Sequence, residues 1–261
     1  MADSPLLPPT GSPISRVLVR TRTDVQGARR ARADKNERAK AAGKRTTPFK
    51  EQLSFAIYFA RYMSAEIAAA LSSEFPGVRS GETPSQSVRG PKRVDLNYST
   101  PELGLGLAIS FKSVHFGEKA NGDADFTHNQ KRNDEELRVE ATAHHLRQPY
   151  SVLVAALFLP FEACTDFAET SSFASWVKYL WPLKGRTEPE DPPDRFELVF
   201  IALYARDGSE LAFYQVGGPV ACPRSGRPRQ LLSLDDFLQI VTQTYRKRNG
   251  QDFFFEGEEP Q

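Results

Sequence analysis

Nine consecutive residues, Ser151 to Leu159 (SVLVAALFL), carry no charge and only one polar side chain. A strand with one wet face alternates apolar and polar residues; an unbroken apolar run is the pattern of a strand buried on both faces. Such a strand needs other elements packed on each side of its sheet, so this run points to a layered α/β domain. Extended to Phe161 the run is near eleven residues, and a membrane-spanning helix needs about twenty. Phe196 to Tyr204 (FELVFIALY) reads as a second such strand. Leu211 to Val216 is expected to pair with it after the Asp207-Gly208 turn.

The remaining elements follow from periodicity. Leu53, Ile57, Ala60, Ser64, Ile67 and Leu71 keep helical spacing after Thr47-Pro48, and Phe55, Phe59 and Tyr62 widen the apolar face. Phe75-Pro76-Gly77 stops this helix, and the Gly/Pro/Ser-rich residues 77–91 are expected as a loop. Arg93 to Tyr98 alternates, with Val94, Leu96 and Tyr98 on one face and Asp95 and Asn97 on the other. A turn at 99–104 leads to a second strand, Leu105 to Val114. Residues 128–147 form a helix closed by Gln148-Pro149, Ser172 to Leu180 a short helix, and Leu232 to Arg248 a last helix capped by Ser233. The expected fold is α/β, a central mixed sheet flanked by helices.

Charge is unevenly distributed. The net charge is +1. Residues 16–45, however, carry eleven Lys/Arg and three Asp/Glu, or +8, which leaves −7 for the other 231 residues. Residues 1–46 are therefore expected as a basic, largely flexible N-terminal arm, in which 14–22 could form a short strand and 24–46 a basic helix or a flexible stretch. Residues 47–248 are expected as a single α/β domain and 249–261 as an acidic, loose tail. A basic cluster of this density suits a phosphate backbone, with Arg29, Arg30 and Arg32 as contacts, or else simply solubilises the chain. The loop Arg224-Ser225-Gly226-Arg227-Pro228-Arg229 contains Gly-Arg-Pro, similar to the core of an AT-hook. It adds Arg227 and Arg229 as nucleic-acid contacts. Two cysteines exclude a Cys₄ zinc site and a disulfide scaffold. With no apparent secretory signal, a cytoplasmic location without membrane attachment is expected.

The candidate chemistry lies on the strand pair. Asp95 sits on a polar strand face, and Lys112 interrupts an otherwise apolar strand seventeen residues later. A lysine there needs a partner or a cleft to offset its desolvation. If the two strands pair, both residues reach one sheet edge. The order helix, strand, strand with lysine, helix, strand over roughly 48–160 resembles the PD-(D/E)XK nuclease superfamily. There, an Asp and an acid-x-Lys flank a divalent metal. Here Val94 precedes the Asp in place of proline, and Ser110-Phe111-Lys112 has serine at the acidic position. A subgroup of restriction enzymes is similar in carrying Ser or Thr there, with a Glu from the following helix replacing the lost acid.

That helix offers Arg132, Asp134, Glu135, Glu136 and Glu140. Arg132, Glu136, Glu140 and His144 share one stripe at i, i+4 spacing, and Glu135 lies about 100° away. Glu136 or Glu135 would complete the site. Arg132 would touch DNA, or the stripe is a solvated face with Arg132 paired to Glu136. The resemblance implies a restriction-endonuclease-like core and a metal held by Asp95 and Glu136. Glu66 on the first helix would stand nearby, or on its surface, with Ser110 and Lys112 beside the metal. It further implies Mg²⁺ (or Mn²⁺) as cofactor, double-stranded DNA as substrate, and a homodimer matched to palindromic sites. The expected activity is metal-dependent endonucleolytic hydrolysis of DNA phosphodiester bonds, as in a type II restriction or defence nuclease. The alternative is a non-catalytic nucleic-acid-binding protein on a degenerate nuclease fold, which Ser110 motivates.

Overall fold

The computed structural model describes residues 11–249 except 88–89, 101–103, 115–116 and 119–123. Helices α1 (Pro13–Ala41) and α2 (Glu51–Leu71) lead into strands β1 (Arg79–Ser87), β2 (Gly90–Thr100) and β3 (Gly104–Ser113). A two-residue ladder, β4 (Gly117–Glu118) with β5 (Ala124–Asp125), precedes α3 (Gln130–His145) and β6 (Val152–Pro160). Then come α4 (Ser172–Leu180), β7 (Leu198–Tyr204), β8 (Leu211–Gln215) and α5 (Leu234–Asn249). The main sheet has the order β1-β2-β3-β6-β7-β8. Its centre, β3-β6-β7, is parallel, and both edges are antiparallel.

β6 explains the layering. Val152, Val154, Ala156 and Phe158 enter one core with α1, α2 and α5. Leu153, Ala155, Leu157 and Leu159 enter the other with α3 and α4. Alternate side chains of a strand point to opposite faces, so an all-apolar strand is satisfied only between two layers. Phe158 is fully buried and packs edge-on to Phe59 of α2 at 5.2 Å; truncating such a ring costs about 3–5 kcal/mol.

The opposite end of this sheet, at the start of β6 and β7, is sealed by ions. Glu197 accepts from Leu153 N–H at 2.7 Å and faces Arg186 and Arg248, each at 3.4 Å, with the His145 ring also at 3.4 Å. Arg186 in turn donates to the carbonyls of Pro149, Glu188 and Pro189.

Three expectations for the first third of the chain change. The segment 14–22, expected as a strand within a flexible arm, is helical and docked. Ser12 caps it by accepting from Ser15 N–H, and Pro13 opens its first turn. Ile14, Val17, Leu18, Thr21 and Val25 are buried, a spacing that suits 3.6 residues per turn as well as the short apolar–basic alternation suits a strand. The loop expected at 77–91 contains edge strand β1, paired to β2 from Arg79–Asn97 to Ser87–Gly90. Its composition carries no alternation because an edge strand needs only backbone pairing and tolerates proline. Helix α2 begins at Glu51 rather than at Pro48. The acidic tail beyond Asn249, and residues 101–103 of the turn expected at 99–104, lie outside the described residues.

Candidate active site

The site begins where β2 leaves β3. Their register runs from Thr100–Gly104 to Leu96–Ile109, with a shift after Tyr98. At Asp95 the backbone carbonyl accepts from Ser64 Oγ of α2, and the carboxylate Oδ2 accepts from Phe111 N–H at 2.8 Å. A side chain and a neighbouring helix thus occupy positions that strand pairing would use. Leu96 and Tyr98 face the α1–α2–α5 core, while Val94 packs on the α3–α4 side. The expected common face of Val94, Leu96 and Tyr98 therefore breaks at Asp95.

Lys112 lies one strand away, paired in register with Leu157 of β6. Its ammonium reaches Glu140 Oε2 of α3 at 3.2 Å. Side-chain exposure is 21% for Lys112 and 8% for Glu140, so the pair is largely withdrawn from water. Burial pulls the Lys112 pKa down, but the negative charges of Glu140, Asp95 and Glu136 outweigh it, and the pKa is raised. Lys112 is therefore a cation at neutral pH. Glu140 Oε1 is buried without a hydrogen-bond partner.

Glu136, expected to complete the site, sits one turn nearer the helix start. It is half exposed, bonded to Arg132 at 2.8 Å, and acts on Lys112 only at longer range. Glu135 points to solvent beside Lys131. Glu140 is one of four residues in the polar stripe of this helix. What selects it is depth: it is adjacent to Ala141, which is fully buried against the sheet. Ser110, at the acidic position, is 2% exposed, and its Oγ has no hydrogen-bond partner. Glu66 is drawn away from Asp95. It pairs with Arg16 of α1, because positions 64 and 66 lie about 200° apart on a helix and Ser64 occupies the face toward β2.

A cleft of about 810 Å³ opens above this group. Lys50, Leu53, Ile57 and Arg61 at and along α2 form one wall, and His128, Asn129, Arg132 and Glu136 at the start of α3 form the other. Asp95, Phe111 and Lys112 lie between them. The mixture of cationic and apolar walls around a floor that holds one carboxylate and one ammonium suits a long anionic ligand better than a small apolar one.

The expected basic contacts divide. Arg132 lines the cleft, tied to Glu136. Arg29 pairs with Glu51 at 3.3 Å across exposed surface, and Arg30 is exposed. Arg32 is half-buried. Arg227 pairs with Glu210 and stacks 4.1 Å over Phe161, just beyond β6, and Arg229 is exposed. Because β3 and β6 are parallel, Arg227 lies at the same end of the sheet as Lys112. Among the weaker candidates, His115 lies outside the described residues. His144 and His145 point apart, one toward Glu140 and the other toward Pro193 O. Burial pushes the Cys164 thiol up to about 12, which makes it unreactive.

Among the described residues no group of three or more His, Cys, Asp or Glu is placed to hold a metal ion. Asp95 and Glu140 provide two carboxylates around one lysine, one of them with an unused buried oxygen. That donor set fits Mg²⁺, which is commonly held by one or two carboxylates with water and substrate phosphate filling its other positions. No protein-family model, no curated protein and no solved structure matches this chain.

Proposed function

We propose that this chain is a Mg²⁺-dependent endonuclease that hydrolyses DNA phosphodiester bonds on a restriction-endonuclease-like core. The observation that carries this reading is the grouping of Asp95 and Lys112 at the divergence of β2 and β3, on the floor of a cleft walled by Lys50, Arg61 and Arg132, with Glu140 paired to Lys112. Asp95 and Glu140 would hold the metal, which when bound supplies Lewis-acid activation of the phosphate and of a water. Lys112 carries a fixed positive charge and would stabilise the charge that builds on the phosphoryl oxygens as water oxygen bonds to phosphorus and the sugar oxygen departs. Asp95 is oriented by Phe111 N–H, and its backbone by Ser64, so this carboxylate is preorganised before substrate arrives. Ser110 is too buried to replace the missing acid as a ligand, and Glu140 takes that role.

The test is cleavage of plasmid and genomic DNA with Mg²⁺ or Mn²⁺, wild type beside Asp95→Ala and Lys112→Ala. Each substitution is expected to reduce the rate by about 100-fold or more. Undiminished cleavage in both variants would remove the assignment. A second reading, a DNA-binding protein without catalysis, is favoured by Ser110 at the acidic position and by the engagement of Lys112 with Glu140. It calls for salt-sensitive DNA binding and no cleavage by the wild type under either metal.

A further inference from the structure

Helix α1 has two unlike halves. Every buried residue of the helix lies at or before Val25. From Gln26 to Ala41 it continues for about 24 Å at 1.5 Å per residue with no residue in either core cluster. This half holds six Lys/Arg, two acids and five alanines. Ala28, Arg32, Asn36 and Ala39 are half-buried and form one stripe facing the returning chain. Asn36 Nδ2 donates to Thr47 O at 2.9 Å, Thr47 N–H donates to Asn36 Oδ1 at 3.1 Å, and Arg29 pairs with Glu51. The return segment runs directly to Lys50 on the cleft wall. The half-helix is thus braced from behind by the segment that leads to the cleft wall.

Its outer face is the informative one. At about 100° per residue, Arg30, Asp34 and Glu37 share the side opposite the braced stripe, and all three are exposed. Arg29 and Lys40 fall on one flank, Lys35 and Arg38 toward the other. A surface built only to hold phosphates has no reason to centre two carboxylates on its contact face. A helix lying in a DNA major groove does: its flanks meet the two phosphate walls, and its central side chains meet base edges. There, Arg reads guanine and Asp or Glu accepts from the cytosine amine. The groove is about 12 Å wide and admits one α-helix, and the five alanines keep this helix slim.

We propose that the outer half of α1 reads duplex DNA sequence from the major groove, with Arg30, Asp34 and Glu37 toward the bases and Arg29, Lys35, Arg38 and Lys40 toward the phosphates. This rests on the nuclease reading for the identity of the ligand, and its test separates the two. Binding of the full chain, in a Lys112→Ala background to prevent cutting, is measured against a randomised DNA duplex pool, the same DNA single-stranded, and an RNA duplex. The RNA major groove is too narrow and deep for side chains to read.

The expected result is a preference of about tenfold or more for duplex DNA over both other probes, with a selected sequence containing G·C pairs. Ala33→Pro keeps every charge but breaks the half-helix. It should remove the preference while leaving the thermal midpoint unchanged, since this half touches no core. Asp34→Ala and Glu37→Ala should broaden the selected sequence. If these two variants instead tighten binding to every sequence, or if Ala33→Pro binds as the parent chain does, the proposal falls. No cleavage by the wild-type chain, with this binding pattern intact, would overturn the nuclease reading and leave the groove helix standing.

Discussion

At the scale of single residues, the Lys112–Glu140 ion pair joins the proposed chemistry to a local stability cost. Removing Glu140 strands Lys112 as a mostly buried cation, so Glu140→Ala is expected to lower unfolding free energy in urea by about 3 kcal/mol. Replacing both partners with Leu and Met should restore most of that loss, because a buried pair contributes little over apolar packing. Such a double variant would be stable and inactive. The raised pKa of Lys112 means that the pair's contribution persists through neutral pH and is lost only as pH climbs through a value above 10.5. His144 behaves oppositely. Burial lowers its pKa below 6.5, against the pull of Glu140. The unfolded chain therefore takes up the proton first, and stability should fall as pH drops below about 6.5. Urea midpoints at pH 8 and pH 5, wild type beside His144→Gln, check this; the variant should show the smaller drop. Asp95 and Lys112 are legible in the sequence as a polar residue and a charge in the wrong places for a core. Glu140 is visible there only as one member of a stripe. Carboxylates at helical spacing look equivalent until the sheet beneath fixes which turn is deepest.

At the scale of elements, legibility tracks how much of an element's surface is committed to the core. β6, buried on both faces, and α4, with an apolar stripe from Phe173 to Leu180, are plain in their patterns because burial dictates those patterns. Edge strand β1 is not, since its pairing uses backbone groups that any residue supplies. Helix α1 is ambiguous because a nine-residue stretch mixing Val, Leu and Arg satisfies two periods at once, and the docking partner α2 decides between them. That decision has a measurable consequence. Leu18→Ala should cost about 2–4 kcal/mol of stability in urea or thermal unfolding, since Leu18 is 2% exposed within the α1–α2 core. A flexible arm would lose nothing.

At the scale of the whole molecule, the two ends of the parallel strands have opposite characters. The end at the start of β6 and β7 is closed around Glu197, with two arginines and a histidine filling the space between α3, α5 and the 186–197 segment. The other end opens into the cleft, with Arg132 on its wall, and β6 leads there to Arg227. Open α/β sheets place ligands at the carboxyl ends of their strands, and the charge distribution here follows the same polarity. Glu197→Ala should therefore be purely a stability variant. It leaves Arg186, 2% exposed, without its carboxylate and should cost about 3–5 kcal/mol, measured by urea unfolding, while any DNA affinity survives in the folded fraction.

In the proposed nuclease, Glu140 completes the centre with Asp95 and Lys112 in place of its exposed neighbours on α3. The most direct measurement is the Mg²⁺-dependent DNA cleavage rate of Glu140→Gln beside Glu136→Gln, each shown to be folded. The expected result is a loss of about 100-fold or more for Glu140→Gln and a change within about threefold for Glu136→Gln, whose carboxylate is half exposed and engaged by Arg132. The reverse order, or equal activity in both variants, would contradict it.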